Sequence, residues 1–304
     1  MAKYVSTFDI NLERLATRDK KRHARSSIHK YWLFSCAIVT SVLIIGLIFT
    51  IAYKGLPAIN WEFLSTGPKE GMSEGGIWPM IRGSILLMIG TLIIVLPVGM
   101  LGGVFFAEYL GDNKFARIMR ACVIALAGTP SIIYGLFGLA FFVLMMKMNV
   151  SLLAGWLTLA LFSLPIIVIT TENAIKNVPE TFVEAGHSLG LSKWQTIRKI
   201  VLPQAFPGII TGLVLSTGRA AGEAPPILLT AGVYYATGAF AYNWEMIRKP
   251  VANLPYHLAE GYRQGGVIPE KIVWGTCLIL MLFVLLINLT AIIVRARMRS
   301  KRSW

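Results

Sequence analysis

The sequence predicts an all-α integral membrane protein with six membrane-spanning helices. Of its 304 residues, 55% are hydrophobic and 14% are charged, and the mean hydropathy is +0.64, which leaves too little polar surface for a soluble globule. Six apolar runs are long enough to cross a bilayer, which takes about 20 residues. The Lys and Arg residues cluster at the ends of these runs, a pattern that indicates membrane orientation.

The net charge of +14 alone would fit either nucleic-acid binding or a membrane surface. Because the basic residues lie beside apolar runs, the sequence favours lipid as the partner and no nucleic acid. The chain begins with a basic segment, residues 1–30, that holds eight Lys or Arg residues. We expect this segment in the cytoplasm, ahead of one membrane domain formed by residues 31–304.

The six predicted spans share their length and apolar composition. They are residues 31–53, 81–106, 118–146, 151–170, 206–231 and 272–294. The first is too long for a signal-peptide core and has no A-x-A cleavage pattern, so it predicts a retained anchor. The tail after the last span is basic, like the amino-terminal segment, which places both ends in the cytoplasm and requires an even number of spans. The predicted inner connections are 107–117 and 171–205, and the outer ones are 54–80, 147–150 and 232–271.

The second inner connection contains an amphipathic, basic segment, residues 180–203. A short helix over 181–189 can end at Gly190, since glycine accepts the left-handed conformation that follows many helices. A second helix can begin at Ser192, which has the spacing of a capping box with Gln195, and we expect it to stop at Leu202-Pro203. The segment could equally be a connector that lies on anionic lipid headgroups.

The fifth span contains Arg219 and Glu223, four residues apart. Charged groups at bilayer depth cost about 2.5 to 3.5 kcal/mol on insertion scales, so they usually face a protein interior or a watery path. One interpretation is an internal salt bridge. The other is that Arg219 lines a translocation path and binds an anion, since a guanidinium offers planar donors to an oxyanion, while Glu223 holds it in place. Pro225 and Pro226 can open the helix one turn later.

At about 100° per residue, Arg219 and Glu223 are predicted to fall on one face of the fifth span, and that face also has small residues that permit close helix approach. They are Gly208, Gly212, Ser216 and Ala220. In the third span, Ser131 and Tyr134 follow Pro130 and could supply hydroxyl donors to the path near a kink. A proline-bent packing helix would explain these two residues equally well.

The inner segment resembles the coupling motif of ABC importer permeases, which reads E-A-A, three residues, G, nine residues, I-x-L-P. The matching residues are Glu184, Ala185, Gly186, Gly190, Ile200, Leu202 and Pro203, with Gly186 where the family usually has alanine. The resemblance implies the type I ABC importer permease fold. It also implies that residues 180–203, hereafter the coupling segment, contain a cytoplasmic coupling helix that seats in a groove of a separate ATPase.

Further strings resemble the PstA-type permeases of bacterial phosphate ABC importers. They are GGI at 75–77, AEY at 107–109, PSIIYGLFGLA at 130–140, RAAGEAPP at 219–226 and LPYHL at 254–258. The resemblance implies a phosphate permease of the bacterial cytoplasmic (inner) membrane. Its implied partners are a PstC-type permease, a PstB-type ATPase dimer and an extracytoplasmic PstS-type phosphate-binding protein.

The sequence predicts a transport subunit with no enzyme activity, cofactor or metal site of its own. It contains no Gly-Lys dipeptide and so no usual ATP-binding phosphate loop, which leaves ATP and Mg to the partner ATPase. Cys36, Cys122 and Cys277 lie in apolar runs without metal-site spacing. Two alternatives remain open: an ABC permease for another oxyanion or a phosphonate, and an ion-coupled transporter that works without ATP.

Overall fold

The computed structural model describes residues 30–111, 113–233, 244–263 and 268–300. The predicted basic segment 1–30 lies outside the described residues, apart from Lys30. The chain divides into two compact units, Met1–Lys54 and Gly55–Trp304. Helix α1, with the single 3-10 turn that follows it, extends over Lys30–Ala58 and is apolar along its length. It corresponds to the first predicted span.

The second unit is built from helices and one small hairpin. In chain order it contains α2 (Trp61–Ser65), β1 (Pro68–Lys69), β2 (Glu74–Gly75), α3 (Trp78–Tyr109), α4 (Lys114–Ala127), α5 (Ser131–Met145), α6 (Leu152–Lys176), α7 (Glu180–Ser188), α8 (Lys193–Ala221), α9 (Pro225–Thr230), a 3-10 turn (Trp244–Arg248), α10 (Leu254–Arg263) and α11 (Glu270–Ser300). Among the described residues, five helices are long and apolar enough to cross a membrane, and a sixth crossing is present if α4 and α5 count as one. The six-span prediction agrees with this arrangement.

Helix α3 packs closely against α6, and the two helices run in the same direction. A methyl group added at Gly90 would lie 1.9 Å from the Trp156 ring, and one at Gly103 would lie 2.4 Å from Thr171. Contacts further along α3 are therefore made with residues further along α6, as in a parallel helix pair. Because glycine has no side chain, these positions let the two helix backbones approach closely, as in other helix pairs with small interface residues.

Helices α8 and α4–α5 run opposite to α6. On α8, a methyl group at Gly208 would lie 2.6 Å from Ala174, and the Ser216 hydroxyl donates to the Ser163 carbonyl at 3.3 Å. The predicted small-residue face of the fifth span thus packs on α6. Because these helices alternate in direction, the end of α3, the start of α4 and the coupling segment lie at one end of the bundle, hereafter the coupling end.

The opposite end, hereafter the cap end, is formed by residues 56–77 and 249–263. Seven buried residues pack there into one cluster: Phe63, Met72, Ile77, Met80, Ala252, Leu254 and Ile268. The chain dips into the bundle after the 3-10 turn, where the Leu254 backbone N–H donates to the Ser84 hydroxyl at 2.9 Å. The loops of the cap end are therefore ordered by apolar burial.

The third span is not the single helix predicted over 118–146. It consists of α4 and α5, which meet at a bend of 97°. Gly128 caps the end of α4, and Pro130 precedes the first residue of α5. Proline supplies no backbone N–H and pushes the residue before it out of the helical conformation, so the hydrogen-bond ladder cannot continue through this point.

The prediction that a helix stops at Leu202-Pro203 is wrong, because α8 runs without interruption from the coupling segment into the fifth span. Residues Ile197–Val201 form a wider π-helical turn, and Leu202–Ala221 continue as α-helix with Pro203 in its first turn. Proline lacks an N–H to donate and clashes with a carbonyl one turn earlier. The π turn, which relaxes the register of these bonds, accommodates the proline without ending the helix.

The fifth span also ends earlier than the predicted residue 231. Gly222 caps α8, and α9 begins at Pro225 after a short non-helical stretch. Glu223 therefore lies in a break and does not share a helical face with Arg219. The two prolines open the span where the sequence predicted a hinge.

Candidate functional site

The breaks in the third and fifth spans lie side by side in the middle of the bundle. A methyl group added at Gly135 of α5 would lie 2.8 Å from the Pro225 carbonyl oxygen and 3.1 Å from the Pro226 Cα. Only glycine permits this approach of α5 to the start of α9. Helix α6 passes beside both breaks and contributes Phe162 between them. Two interrupted helices and one continuous helix thus meet around Tyr134, Phe162 and Arg219.

Arg219, in the last turn of α8, brings a positive charge to this region. Its Nε atom lies 3.7 Å from Glu223 Oε1, a distance typical of an ion pair but too long for a hydrogen bond. Its side chain is 44% exposed, whereas that of Glu223 is 18% exposed. Among the described residues, no acceptor lies within hydrogen-bonding distance of the guanidinium. Arg219 therefore retains its donors for another group.

Phe162 lies against the Arg219 guanidinium, a contact that the sequence prediction missed. The Cζ atom of Arg219 lies 4.7 Å from the centroid of the Phe162 ring. A cation at this distance from an aromatic face is attracted by the ring electrons. Phe162 is itself 3% exposed. The only signal in the sequence was an aromatic residue in an apolar run, which does not distinguish a cation platform from core packing.

Tyr134 belongs to the same cluster, but its hydroxyl is engaged. The Tyr134 ring meets the Phe162 ring edge-on, with centroids 5.4 Å apart, and its hydroxyl donates to the Leu126 carbonyl at 2.8 Å. This bond joins the end of α4 to α5 across the bend. Tyr134 braces the break, therefore, and in this conformation it offers no free donor. Ser131, the other predicted hydroxyl residue, is half-buried as the first residue of α5.

A second, unpredicted ion pair lies near the coupling end. Arg120 of α4 donates from Nε to Glu172 Oε1 of α6 at 2.8 Å, and Lys176 Nζ lies 2.8 Å from the same oxygen. The Glu172 side chain is 9% exposed. Arg120 was placed inside the predicted third span, and a charge at that depth was the available signal that an acidic partner must exist.

The coupling segment folds as two short helical arms that meet at a tight turn. Gly190 has φ +72°, in the left-handed region that favours glycine, and follows α7 directly. Ser192 and Gln195 form the predicted capping box at the start of α8. The helix-turn-helix prediction is confirmed in its turn and caps, although its second arm continues into α8.

The motif residues of the coupling segment divide into inward and outward ones. A methyl group at Gly186 would lie 2.8 Å from Thr196 Cγ2 and 3.0 Å from Ile200 Cδ1, so this glycine lies where the two arms cross. Glu184, Ala185, Gly190 and Pro203 are exposed, and Ile200 and Leu202 are half-buried. At the turn, Leu189 and Trp194 are 78% and 47% exposed. The tip of the segment therefore presents apolar surface outward.

Comparison with known proteins agrees with this geometry. Residues 99–301 match the family described as "Binding-protein-dependent transport system inner membrane component". The chain is 35% identical over 266 residues to the "Probable ABC transporter permease protein YqgI" of Bacillus subtilis (strain 168), covering 84% of this chain and 90% of the relative. It is 36% identical over 249 residues to the "Phosphate transport system permease protein PstA" of Pasteurella multocida (strain Pm70), covering 81% and 85% of the two chains.

Solved structures show the same fold at lower sequence identity. An inward-facing structure of the MetNI methionine ABC transporter matches with a TM-score of 0.54 and 20% identity, covering 73% of this chain and 94% of that chain. The structure of a bacterial ABC transporter involved in the import of the acidic polysaccharide alginate matches with a TM-score of 0.60 and 16% identity, covering 90% and 98%. Both likenesses concern the fold, which is that of type I ABC importer permeases.

Proposed function

The chain belongs to the family of binding-protein-dependent transport system inner membrane components, the permeases of ABC importers, and we propose that it is a PstA-type permease subunit of an ATP-driven phosphate importer. One observation carries the proposal for the cargo: Arg219 presents a half-exposed guanidinium, without any hydrogen-bond acceptor among the described residues, at a break in a membrane-spanning helix. A guanidinium is suited to binding two oxygens of a tetrahedral oxyanion at once.

In the proposed mechanism, phosphate takes the place that the Arg219 donors leave open. The Phe162 ring holds the guanidinium plane in one orientation, which lowers the entropy lost when the anion binds. Glu223, at 3.7 Å, balances the charge of the empty site but is too distant to occupy the donors. The charges of Arg219 and Glu223 thus nearly cancel in the empty path, while the Arg219 donors stay available to the anion.

The proposed transport cycle is alternating access driven from the coupling segment. The exposed Leu189 and Trp194 at its tip supply an apolar knob for the groove of a partner ATPase. Helix α8 then connects this knob directly to Arg219. ATP and Mg act on the ATPase, and this chain supplies no covalent chemistry.

The proposed assembly contains a PstC-type permease, a PstB-type ATPase dimer and an extracytoplasmic PstS-type phosphate-binding protein. In it, the second permease contributes the other half of the path that Arg219 lines. The coupling end would face the cytoplasm, with both chain termini on that side, and the cap end would meet the binding protein. The proposed location is the bacterial cytoplasmic (inner) membrane.

ATP-dependent phosphate uptake by the complete complex in liposomes tests the function. The expected result is uptake of labelled phosphate that requires ATP and the binding protein, and that excess unlabelled phosphate suppresses. Sulfate, molybdate and phosphonates in the same excess should leave it unchanged. Suppression by one of these and not by phosphate would assign the permease to that anion. Uptake by this subunit alone without ATP would identify an ion-coupled transporter.

A further inference from the structure

Lys193, the first residue of α8, contacts the end of α3 in three ways. Its ammonium group donates to the Glu108 carbonyl oxygen, lies 4.0 Å from Glu108 Oε2 and is 4.6 Å from the centroid of the Tyr109 ring. Glu108 and Tyr109 belong to the AEY string, and neither touches the Arg219 site. The coupling segment is thus attached to a second spanning helix besides its own.

The end of α3 is in turn attached to α4. Residues Phe105–Tyr109 form a π-helical turn, and the Arg120 guanidinium of α4 donates through Nη2 to the Phe106 carbonyl at 3.1 Å and to the Gly111 carbonyl at 3.2 Å. Through Nε, Arg120 also holds Glu172 of α6. Four elements therefore meet at one arginine: the π turn, the turn after it, α4 and α6.

Helix α4 extends from this junction to the Arg219 site. Its 14 residues, Lys114–Ala127, span about 20 Å at 1.5 Å per residue. At its far end the Leu126 carbonyl accepts the Tyr134 hydroxyl, and the Tyr134 ring packs against Phe162, which faces Arg219. Each step from Lys193 to Arg219 along this route is either a contact between side chains, a hydrogen bond to backbone, or the continuous backbone of one helix.

We propose that Lys193 is a positioning residue that transmits movement of the coupling segment to the bend between α4 and α5, through a lateral link made of Lys193, Tyr109, Arg120 and Tyr134. The proposal rests on the transport function proposed above and adds a second connection to it. Helix α8 moves the Arg219 side of the site, and the lateral link moves the Tyr134 side with it. Both helix breaks then change together in one cycle.

The exposure of Lys193 indicates that the contact serves movement more than stability. The side chains of Lys193 and Glu108 are 52% and 21% exposed. Exposed ion pairs contribute little to folding, because water and salt screen them. Removing the Lys193 ammonium should therefore leave the fold and the assembled complex intact, while breaking one route between the ATPase and the site.

The test measures phosphate transported per ATP hydrolysed by the complete complex in liposomes. For Lys193→Met we expect this ratio to fall about fivefold, the lower end of typical coupling between two sites, with ATP hydrolysis and assembly unchanged. Lys193→Arg keeps the cation and should retain the ratio. Lys114→Met, which removes an exposed lysine from the start of α4, is the matched control and should have no effect. An unchanged ratio in Lys193→Met, or an equal fall in the control, overturns the proposal.

A double-mutant cycle separates the link from damage to the coupling segment itself. Tyr109→Leu perturbs the same contact from the α3 side and should lower the ratio as well. The double variant Lys193→Met/Tyr109→Leu should fall no further than Lys193→Met alone, because both changes break one link. Effects that add fully would show two independent causes and overturn the proposal. A wild-type complex that moves no phosphate would instead contradict the proposed function.

A distance measurement tests the link whatever the cargo is. Spin labels at Lys114→Cys and Ser188→Cys, in a subunit whose own three cysteines are replaced by serine and which is assembled into the complex, report the separation of α4 from the coupling segment. With Lys193 present, we expect the same distance distribution without nucleotide and with a trapped ATP analogue. In the Lys193→Met background the distribution should shift between the two states. The same shift with Lys193 present would overturn the link.

Discussion

Two arginine–glutamate pairs in this protein have the same chemistry and opposite settings. Arg120 and Glu172 are joined by a 2.8 Å hydrogen bond, with side chains 20% and 9% exposed, and Arg120 also donates to two backbone carbonyls. Arg219 and Glu223 are 3.7 Å apart, and the Arg219 side chain is 44% exposed. Arg120 is hydrogen-bonded by the protein, whereas Arg219 has no hydrogen-bond acceptor in the described part of the chain.

This difference separates a structural charge from one that can bind. A buried ion pair whose donors are all used holds elements together, and losing one partner leaves an uncompensated charge. An exposed guanidinium that lies against an aromatic ring but lacks hydrogen-bond acceptors still has donors with which to bind an anion. Arg120 makes the kind of internal salt bridge that one interpretation of the sequence assigned to Arg219, and the predictions below test whether the two arginines differ in role.

The largest effect on transport is expected for Arg219→Ala. Loss of two charge-assisted hydrogen bonds to the anion, together worth about 3 kcal/mol, should lower ATP-dependent phosphate uptake about a hundredfold. The complex should still assemble, as judged by size-exclusion chromatography. Arg117→Ala, on the exposed side of α4, is the control and should transport normally. Failure of Arg219→Ala to assemble would make Arg219 a structural residue like Arg120.

The opposite pattern is expected for Glu172→Ala. It leaves Arg120 and Lys176 facing each other with no counter-charge, which should cost about 3 to 5 kcal/mol of stability. The melting temperature of the purified subunit and the yield of assembled complex should both fall. Glu180→Ala removes an exposed carboxylate from α7 and should change neither. A stable Glu172→Ala subunit would show that the tight pair is dispensable.

His257 in α10 extends the comparison to a buried ionisable side chain that stays neutral. It is 3% exposed, neither ring nitrogen has a hydrogen-bond partner among the described residues, and burial lowers its pKa to about 4 from the usual 6.5. The unfolded chain takes up this proton below pH 6.5 and the folded protein does not, so stability should fall as the pH drops toward 4. We expect a loss of about 2 kcal/mol between pH 7 and pH 5.

Thermal melts at both pH values check this expectation. His257→Leu removes the titrating ring and should lose less stability on acidification than the wild type. His187→Leu, which changes an exposed histidine in α7, should behave like the wild type. Equal acid sensitivity in the wild type and the His257→Leu variant would assign the loss to other groups.

The smallest effect is expected for Phe162→Leu. Loss of the ring removes about 1 kcal/mol of cation–π attraction, which should raise the phosphate concentration for half-maximal uptake about fivefold. Phe63→Leu, equally buried at 3% exposed but in the cap, controls for the cavity that the change creates. Both variants should melt at a lower temperature, and only Phe162→Leu should need more phosphate. If both variants raised the phosphate concentration for half-maximal uptake equally, Phe162 would be only a packing residue.

The sequence predicted those features whose cause is local. Six spans follow from run length, and the turn at Gly190 and the capping box at Ser192 follow from single residue types. Pro130 was a visible signal of the bend between α4 and α5. A non-helical break of three residues, however, does not show in a hydropathy value averaged over about 20 residues. Pro203 misled in the other direction, because the five-residue π turn that accommodates it cannot be recognised from composition.

Contacts between distant parts of the chain were beyond prediction. Arg219 was identified because a charge in an apolar run is conspicuous, yet its platform, Phe162, lies 57 positions earlier in the chain. Lys193 and Glu108 are 85 residues apart, and each alone has the character of an ordinary charge at a membrane surface. Only the packing of α3, α6 and α8 brings these residues together.

The unbroken course of α8 has a mechanical consequence. From Lys193 to Arg219 the helix measures about 39 Å at 1.5 Å per residue. A small rotation of its end in the coupling segment therefore becomes a larger displacement at Arg219. A tilt of about 5° at one end displaces the other by about 3 Å, the full length of a hydrogen bond. A tilt of a few degrees in the coupling segment is therefore enough to make or break the hydrogen bonds between Arg219 and an anion.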